Sequence, residues 1–208
     1  MPPNLERRTA LCDAGIRLLA REGGRGLTHR AIDAEAGVPT GTASNYFRSR
    51  DAILEAIALR LMERLTPRPG GNVPSADAAP TREDQIRAIR HVVAAALASP
   101  DLYLAMLELR LEAVRRPSLR DALTQTIRRN FENDYMYHLA AGLPGGRIEV
   151  MLLHLTIDGL LLDQLTLPNA IGVDDPAALV GRIVDLIVMP PPSAPVDALR
   201  EAAATADE

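Results

Sequence analysis

From Leu27 to Leu54 the chain reads LTHRAIDAEAGVPTGTASNYFRSRDAIL. Its central part, Gly37 to Asp51, packs two glycines, a proline and five hydroxyl-bearing residues into fifteen positions. Thr28 is a good N-cap for a short helix through Ala36. Gly37 stops that helix, Val38-Pro39 turns the chain, and a second short helix is expected from Thr40 to Phe47. Helix, sharp turn, helix is the spacing of a helix-turn-helix, whose second helix enters the major groove of DNA. Ile32, Ala36, Val38 and Phe47 would lock the crossing of the two helices. Thr40, Gly41, Thr42, Ser44 and Asn45 then face outward. Small residues let a helix backbone approach base edges, and hydroxyls and an amide can hydrogen-bond bases or phosphates. Thr28 presents a hydroxyl and backbone N–H groups to a phosphate. Arg48 and Arg50, at the start of the next helix, are placed to clamp another. Tyr46 is either a DNA contact or a ring at the edge of the core.

Composition agrees with a helical chain. Of 208 residues, 47% are hydrophobic but only 3% aromatic, and Trp is absent. The core must therefore come from Leu, Ala, Ile and Val, which favours helix packing over a sheet sandwich. All 23 basic residues are Arg. Net charge is −4, an unpromising total for a DNA-binding chain, but it is unevenly spread. Residues 1–65 carry ten Arg against eight acids, +2, while 66–208 carry thirteen against nineteen, −6. Cys12 is the single cysteine. It excludes an internal disulfide and reads as a small core residue of a cytoplasmic protein. No apolar run reaches the ~18 residues needed to span a bilayer.

The rest of the chain is helical by periodicity. Leu5 to Arg21 shows apolar spacing and is expected to end at Gly23-Gly24; Ser49 caps a helix with Ile53, Leu54, Ile57 and Leu61 on one face. Residues 66–80 hold four prolines and two glycines and read as a flexible connection. Thr81 with Asp84 forms a capping box for a helix to Ser99. Pro100 opens a helix through Arg116, Pro117-Ser118 another to Ala141, and Arg147 to Leu167 follows as the most apolar helix. Asp175-Pro176 caps a last helix to Val188, and the proline-rich, then acidic, tail 189–208 is expected to be disordered. The fold class is all-α: a three-helix helix-turn-helix domain over 1–65, then a helical domain over 81–188.

The stretch quoted at the outset resembles the DNA-binding domain of the tetracycline-repressor (TetR) family of bacterial regulators. The resemblance spans about residues 8–62 and is carried by Thr28, Ala36-Gly37-Val38, Gly41-Thr42, Tyr46-Phe47 and Arg50. It implies a DNA-contact set of Thr28, Arg30, Thr40, Gly41, Thr42, Ser44, Asn45, Tyr46, Arg48 and Arg50. Three positions depart from the pattern. Ser44 stands where many members have a Tyr, Arg50 replaces a Lys, and Asp33 replaces a small residue. Asp33 is then either solvated or paired with Arg30. The family's last two long helices pair with their two-fold mates as a four-helix bundle. That implies a homodimer interface of Leu155, Gly159, Leu162, Val180, Ile183, Val184 and Ile187, burying ~1,600 Å² or more. The alternative is that these helices fill a monomeric core.

Apolar residues with isolated polar groups mark a candidate effector site in the larger domain: Tyr103, Met106, Leu107, Arg110, Phe131, Tyr135, Met136, His138, His154 and Asp158. His154 and Asp158 lie four apart on one helix and face each other. An organic, largely hydrophobic effector fits these surroundings. The chain holds no nucleophile elbow, glycine-rich phosphate loop, CxxC or HExxH, and its four His show no pair at ligand spacing. No enzyme, metal or cofactor is expected. The function that emerges is a ligand-responsive regulator of transcription, a repressor binding a palindromic operator as a homodimer; its rivals are an activator or a helical protein-interaction module with no effector.

Overall fold

The computed structural model describes residues 4–65, 81–168 and 170–188; the expected connection at 66–80 and tail at 189–208 lie outside the described residues. Among the described residues there are nine α-helices and no strand. They are α1 (Leu5–Gly26), α2 (His29–Glu35), α3 (Thr42–Tyr46), α4 (Arg50–Leu65), α5 (Arg82–Ala98), α6 (Pro100–Ala113), α7 (Pro117–Ala140), α8 (Arg147–Thr166) and α9 (Pro176–Ile187). No single described helix is long and apolar enough to cross a membrane.

Short-range chemistry sets most helix ends. Thr28 Oγ1 accepts from Ala31 N at 3.1 Å, and Ser49 Oγ accepts from Ala52 N at 3.1 Å. Thr81 and Asp84 close a reciprocal capping box on α5. Pro100, Pro117 and Pro176 open α6, α7 and α9, where the missing N–H would have no partner anyway. Two ends differ from expectation. The glycine pair kinks α1 at Gly23 (φ +68°) instead of ending it, and one more turn runs to Gly26. The second helix of the motif begins at Thr42 rather than Thr40, because Gly41 sits at φ +93°, a left-handed conformation that favours glycine.

Two separate cores hold the helices together. The lower core joins Leu11, Ile16, Leu19, Leu27, Ile32, Phe47, Ile53, Ile57 and Leu61 from α1–α4 and their connections. It does not stop at the connection in the sequence: Ala105, Met106, Leu109 and Ala113 of α6, and Leu119 and Leu123 of α7, belong to it. The spacing of those four α6 residues puts them on one face, against α1 and α4. Burial of a leucine such as Leu109 stabilises the fold by about 1.5–3 kcal/mol. The upper core gathers Val93 and Ala96 of α5, Leu153, Leu160 and Leu161 of α8, and Val180, Ile183 and Val184 of α9 with Val188. Cys12 is buried in the lower core, where desolvation pushes its thiol up to about 11 and keeps it neutral.

Ion pairs tie the first helices. Arg60 reaches Asp13 at 2.9 and 3.1 Å, joining α4 to α1. Arg17 Nε and Arg21 meet Glu35 at 2.7 and 2.9 Å, joining α1 to the end of α2.

Candidate functional site

The turn between α2 and α3 is fixed by a buried carboxylate. Asp33, 2% exposed, accepts from Gly41 N at 2.7 Å and from Ala43 N at 2.6 Å. It is neither solvated nor paired with Arg30, the two alternatives open in the sequence. It caps α3 from the neighbouring helix, satisfying backbone donors that Gly41, with no side chain, cannot. Its charge sits at the positive end of α3, so its burial is compensated. Thr42 Oγ1 donates to Pro39 O at 2.6 Å and Ser44 Oγ to Gly41 O at 2.8 Å, so both hydroxyls help shape the turn while still able to accept.

What remains outward is polar and cationic. Thr28, Arg30, Thr40, Ser44, Asn45 and Arg48 are exposed, and Gly41 and Thr42 half-buried. Tyr46 is half-buried, packed against the lower core with its ring 6.4 Å from that of Phe47. Of the ten arginines of residues 1–65, those at 17, 21, 50, 60 and 64 are engaged in ion pairs. Arg25, Arg30 and Arg48 have none among the described residues. The neighbouring acids are taken: Asp33 by backbone, Glu35 by Arg17 and Arg21, Asp51 by Arg116. Those two guanidinium groups, Arg17 first, hold the Glu35 carboxyl below its ordinary range. Positive potential is therefore left where the motif faces out, although the whole chain is acidic.

Arg50 does not belong to that surface. Its guanidinium donates to Leu27 O at 2.7 Å, to Gly24 O at 2.5 Å and to Glu112 at 3.2 Å. At the end of α1, past the kink at Gly23, the Gly24 carbonyl accepts from Leu27 N at 3.3 Å and from Arg50, and the Leu27 carbonyl just beyond the helix accepts from Arg50. Beside it Glu108 accepts from Gly24 N at 2.9 Å, Arg116 holds Glu112 at 2.8 Å, and Arg116 also pairs with Asp51. Arg116 first, then Arg50, keeps the Glu112 carboxyl below its usual value. The expected phosphate clamp is thus a brace between α1, α4 and the end of α6. Arg48 alone of the two arginines stays on the motif's face.

The residues expected to hold an effector fall into three places. Arg110 and Asp158 pair at 3.2 Å across α6 and α8, His154 lies 3.8 Å from Asp158 and 4.0 Å from Asp134, and Phe131 meets the His154 ring edge-on. Tyr103 packs against the upper core nearby, its hydroxyl raised by burial and then by Asp158. Leu107 is half-buried, and Tyr135 lies under Arg147, whose guanidinium is 5.4 Å from its ring and 4.9 Å from that of Phe131. Three expectations do not hold. Met106 is part of the lower core; Met136 is exposed; His138 is 0% exposed and faces Gln85 at 3.4 Å, so it cannot line an open site. Residues 131, 134, 135 and 138 share one face of α7, but His138 lies two turns beyond Phe131, where it meets Gln85 of α5 and is buried.

A groove of about 360 Å³ runs between α7 and α8, lined by Ile127, Arg128, Phe131, Arg147, Met151 and His154. Four of these, Ile127, Arg128, Arg147 and Met151, carried no expectation. A run of one apolar residue beside one arginine has no signature until two helices bring the pairs together.

The expected dimer residues also divide. Leu155 (59% exposed), Gly159 and Leu162 (48%) lie with Ile148 and Leu152 along one open stripe of α8. A Cβ added at Gly159 would meet nothing within 4 Å. Val180, Ile183 and Val184 are buried in the upper core and Ile187 packs against it, so they are not free to meet a partner. The outward apolar residue of α9 is Leu186. A helix apolar nearly all round does not announce which side its own domain covers.

A rigid helix-turn-helix with an exposed polar face, carried on a larger helical body, defines a DNA-binding regulator. Two family models cover the chain: "Bacterial regulatory proteins, tetR family" over residues 11–57 and "Tetracyclin repressor-like, C-terminal domain" over 80–205. The second alone spans more than half of it, and the chain belongs to the TetR family of transcriptional regulators, not to an enzyme family. It is 29% identical over 142 residues to an HTH-type nicotine-responsive transcriptional repressor of Paenarthrobacter nicotinovorans, covering 66% of this chain and 69% of that one. It is similar to a TetR-family member from Streptomyces coelicolor at 25% identity, TM-score 0.64, over 88% of this chain and 99% of the other. Its fold also matches a Saccharomonospora viridis protein, described as a transcriptional regulator and crystallised with choline, at 20% identity and TM-score 0.71, covering 87% and 96%.

Proposed function

We propose that this regulator is a cytoplasmic repressor that grips a palindromic operator as a homodimer and lets go when a small organic effector enters the larger domain. The observation that carries the DNA reading is the face of α2 and α3, where Thr28, Arg30, Thr40, Ser44, Asn45 and Arg48 stand exposed while every nearby acid is already partnered. Asn45 and the small residues beside it suit base edges, and Arg30, Arg48 and Thr28 suit phosphates. Gly41 and Thr42 permit close backbone approach, and Tyr46 flanks the helix. Arg50 acts behind this surface.

One recognition helix reads few base pairs; two held at a fixed separation multiply the affinity. The open stripe of α8 with Leu186 supports pairing of two copies through Leu155, Gly159 and Leu162. An effector is supported by the named nicotine-responsive repressor among the relatives and by the choline complex among the structural neighbours. Its action would pass through α6: Arg110 is tied to Asp158 of α8, and Glu108 and Glu112, two residues to either side of it, hold α1 and Arg50. A coupling of about 1–3 kcal/mol suffices for roughly 5–150-fold release.

Selection of fragments bound by the full-length protein from a random DNA pool tests the reading. A two-fold symmetric consensus is expected. A single half-site, or no enrichment at low ionic strength, would overturn the dimeric-operator reading and favour a protein-interaction role.

A further inference from the structure

The groove between α7 and α8 has a definite chemistry. Its floor is apolar, from Ile127, Phe131 and Met151, and its rim carries the guanidinium groups of Arg128 and Arg147. At about 360 Å³ it falls at the small end of ordinary ligand sites. We propose that it binds a small amphipathic organic anion, an aryl or short acyl carboxylate, with the apolar body on that floor and the carboxylate between Arg128 and Arg147. The proposal rests on the reading above that this regulator takes a small effector, and names its class.

The neighbouring charges decide the sign. The lining itself holds two arginines and no acid, and of the acids beside it Glu132 is paired with Arg147 and Asp158 with Arg110. A cationic ligand on that lining would lie against two guanidinium groups. An anionic ligand displaces nothing at Arg128, which makes no hydrogen bond or contact ion pair among the described residues. Arg147 is held in place by stacking on Phe131 and Tyr135, at 4.9 and 5.4 Å from the ring centroids, and by Glu132, which takes its Nη1 and Nη2. The guanidinium is therefore oriented before any ligand arrives, and its Nε edge carries no hydrogen bond among the described residues. A planar guanidinium presents two parallel donors to a carboxylate, which gives direction as well as attraction. Phe131 offers an aromatic ligand a face to stack on.

The position suits control. The α7 part of the groove starts at Thr124, next to Leu123 of the lower core, and its α8 wall, Arg147, Met151 and His154, adjoins the open apolar stripe of the same helix. A ligand wedged there bears on both the core that carries the DNA-binding helices and the helix proposed to pair with a second copy.

The test is calorimetric titration of the full-length protein with 1-naphthoate, phenylacetate and decanoate, and with 1-naphthylmethylammonium as the size-matched cation. At least one anion is expected to bind with a dissociation constant below about 1 mM, and at least about tenfold more tightly than the cation. Arg128→Gln, an exposed change that leaves the circular dichroism and Tm as they were, is expected to weaken the anion about tenfold or more. Arg147→Gln should do the same, and Arg128→Lys should retain part of the affinity. The cation binding as well as or better than every anion would overturn the proposal. So would unaltered anion affinity in Arg128→Gln, or no anion binding at all. Operator binding, measured separately without ligand, is untouched by any of these failures.

Discussion

The two cores close differently. The lower one is wrapped on all sides by α1–α4, α6 and the start of α7, and Leu11, Ile16, Leu19, Ile32, Leu54 and Leu61 lose all their exposure in it. The upper one, built on α5, α8 and α9, is covered on one side and leaves Ile148, Leu152, Leu155, Leu162 and Leu186 in the open. The lower region therefore covers these leucines and isoleucines within one chain, and the upper region leaves part of its apolar surface open. That contrast separates the parts of the molecule: a closed core under the helix-turn-helix below, and above it the part to which pairing and effector binding are assigned in the proposed function.

Charging the open stripe should break this contrast most severely. Leu155→Arg places like charges near the proposed two-fold axis, and light scattering should show a monomer whose operator affinity is lower by about 100- to 10,000-fold. Val184→Ala, on α9 but fully buried, should leave the dimer intact and cost about 1–3 kcal/mol in urea unfolding. If Leu155→Arg stays dimeric, the stripe is not the seam.

Below, Asp33→Ala should destabilise the protein by about 2–4 kcal/mol, because one buried and one half-buried backbone donor lose their acceptor. Asp33→Asn, which keeps an acceptor, should cost less. An Asp33→Ala protein with full stability would mean that α3 is held by packing alone.

Arg48 and Arg50 sharpen the comparison further, since they are two residues apart and were expected to act alike. Arg48→Ala should lower operator affinity on any sequence and reduce the slope of log affinity against log salt by about 0.9, with Tm unchanged. Arg50→Ala should instead lower the Tm, by loss of about 1–3 kcal/mol, since it leaves the Leu27 carbonyl unanswered and takes one donor each from the Gly24 carbonyl and the Glu112 carboxylate. Equal salt slopes for the two variants would put Arg50 back on the DNA.

The smallest effect is with pH. Glu35 and Glu112 are both held below their ordinary range by arginines. Their contribution is complete above the unfolded glutamate value of about 4.3 and is lost as pH falls through their lower folded values. Acid unfolding should accordingly be shallower in Glu112→Gln, by about 1 kcal/mol or less given solvent screening. An identical pH profile would show that the brace adds no stability of its own.

Much of the lower region was legible in the chain. Thr28 as a cap, the stop at Gly37, Phe47 in the core and the exposed Asn45 and Arg48 all follow from neighbours within a few residues. Asp33 was visible as a departure but not as a cap, because its two partners lie eight and ten residues on, across a turn whose geometry Gly41 sets. Arg50 was misplaced for the same reason: its acceptors are 23, 26 and 62 residues away. In the upper region, Leu155 and Leu162 were placed outward while Val180 and Val184 proved to be inside. Apolar residues on every side of α8 and α9 contain no preference for one face, and only the packing of α5 made one.

By itself, the sequence determined the helices, the turn and the chemistry of the recognition face, since caps, glycines and apolar spacing act through contacts a few residues long. The tertiary structure alone decided where the cores lie, which arginines remain for DNA and which pair inward, and which apolar face stays open. Those outcomes depend on groups far apart in the chain that compete for the same partners, and such a competition is settled only when the helices meet.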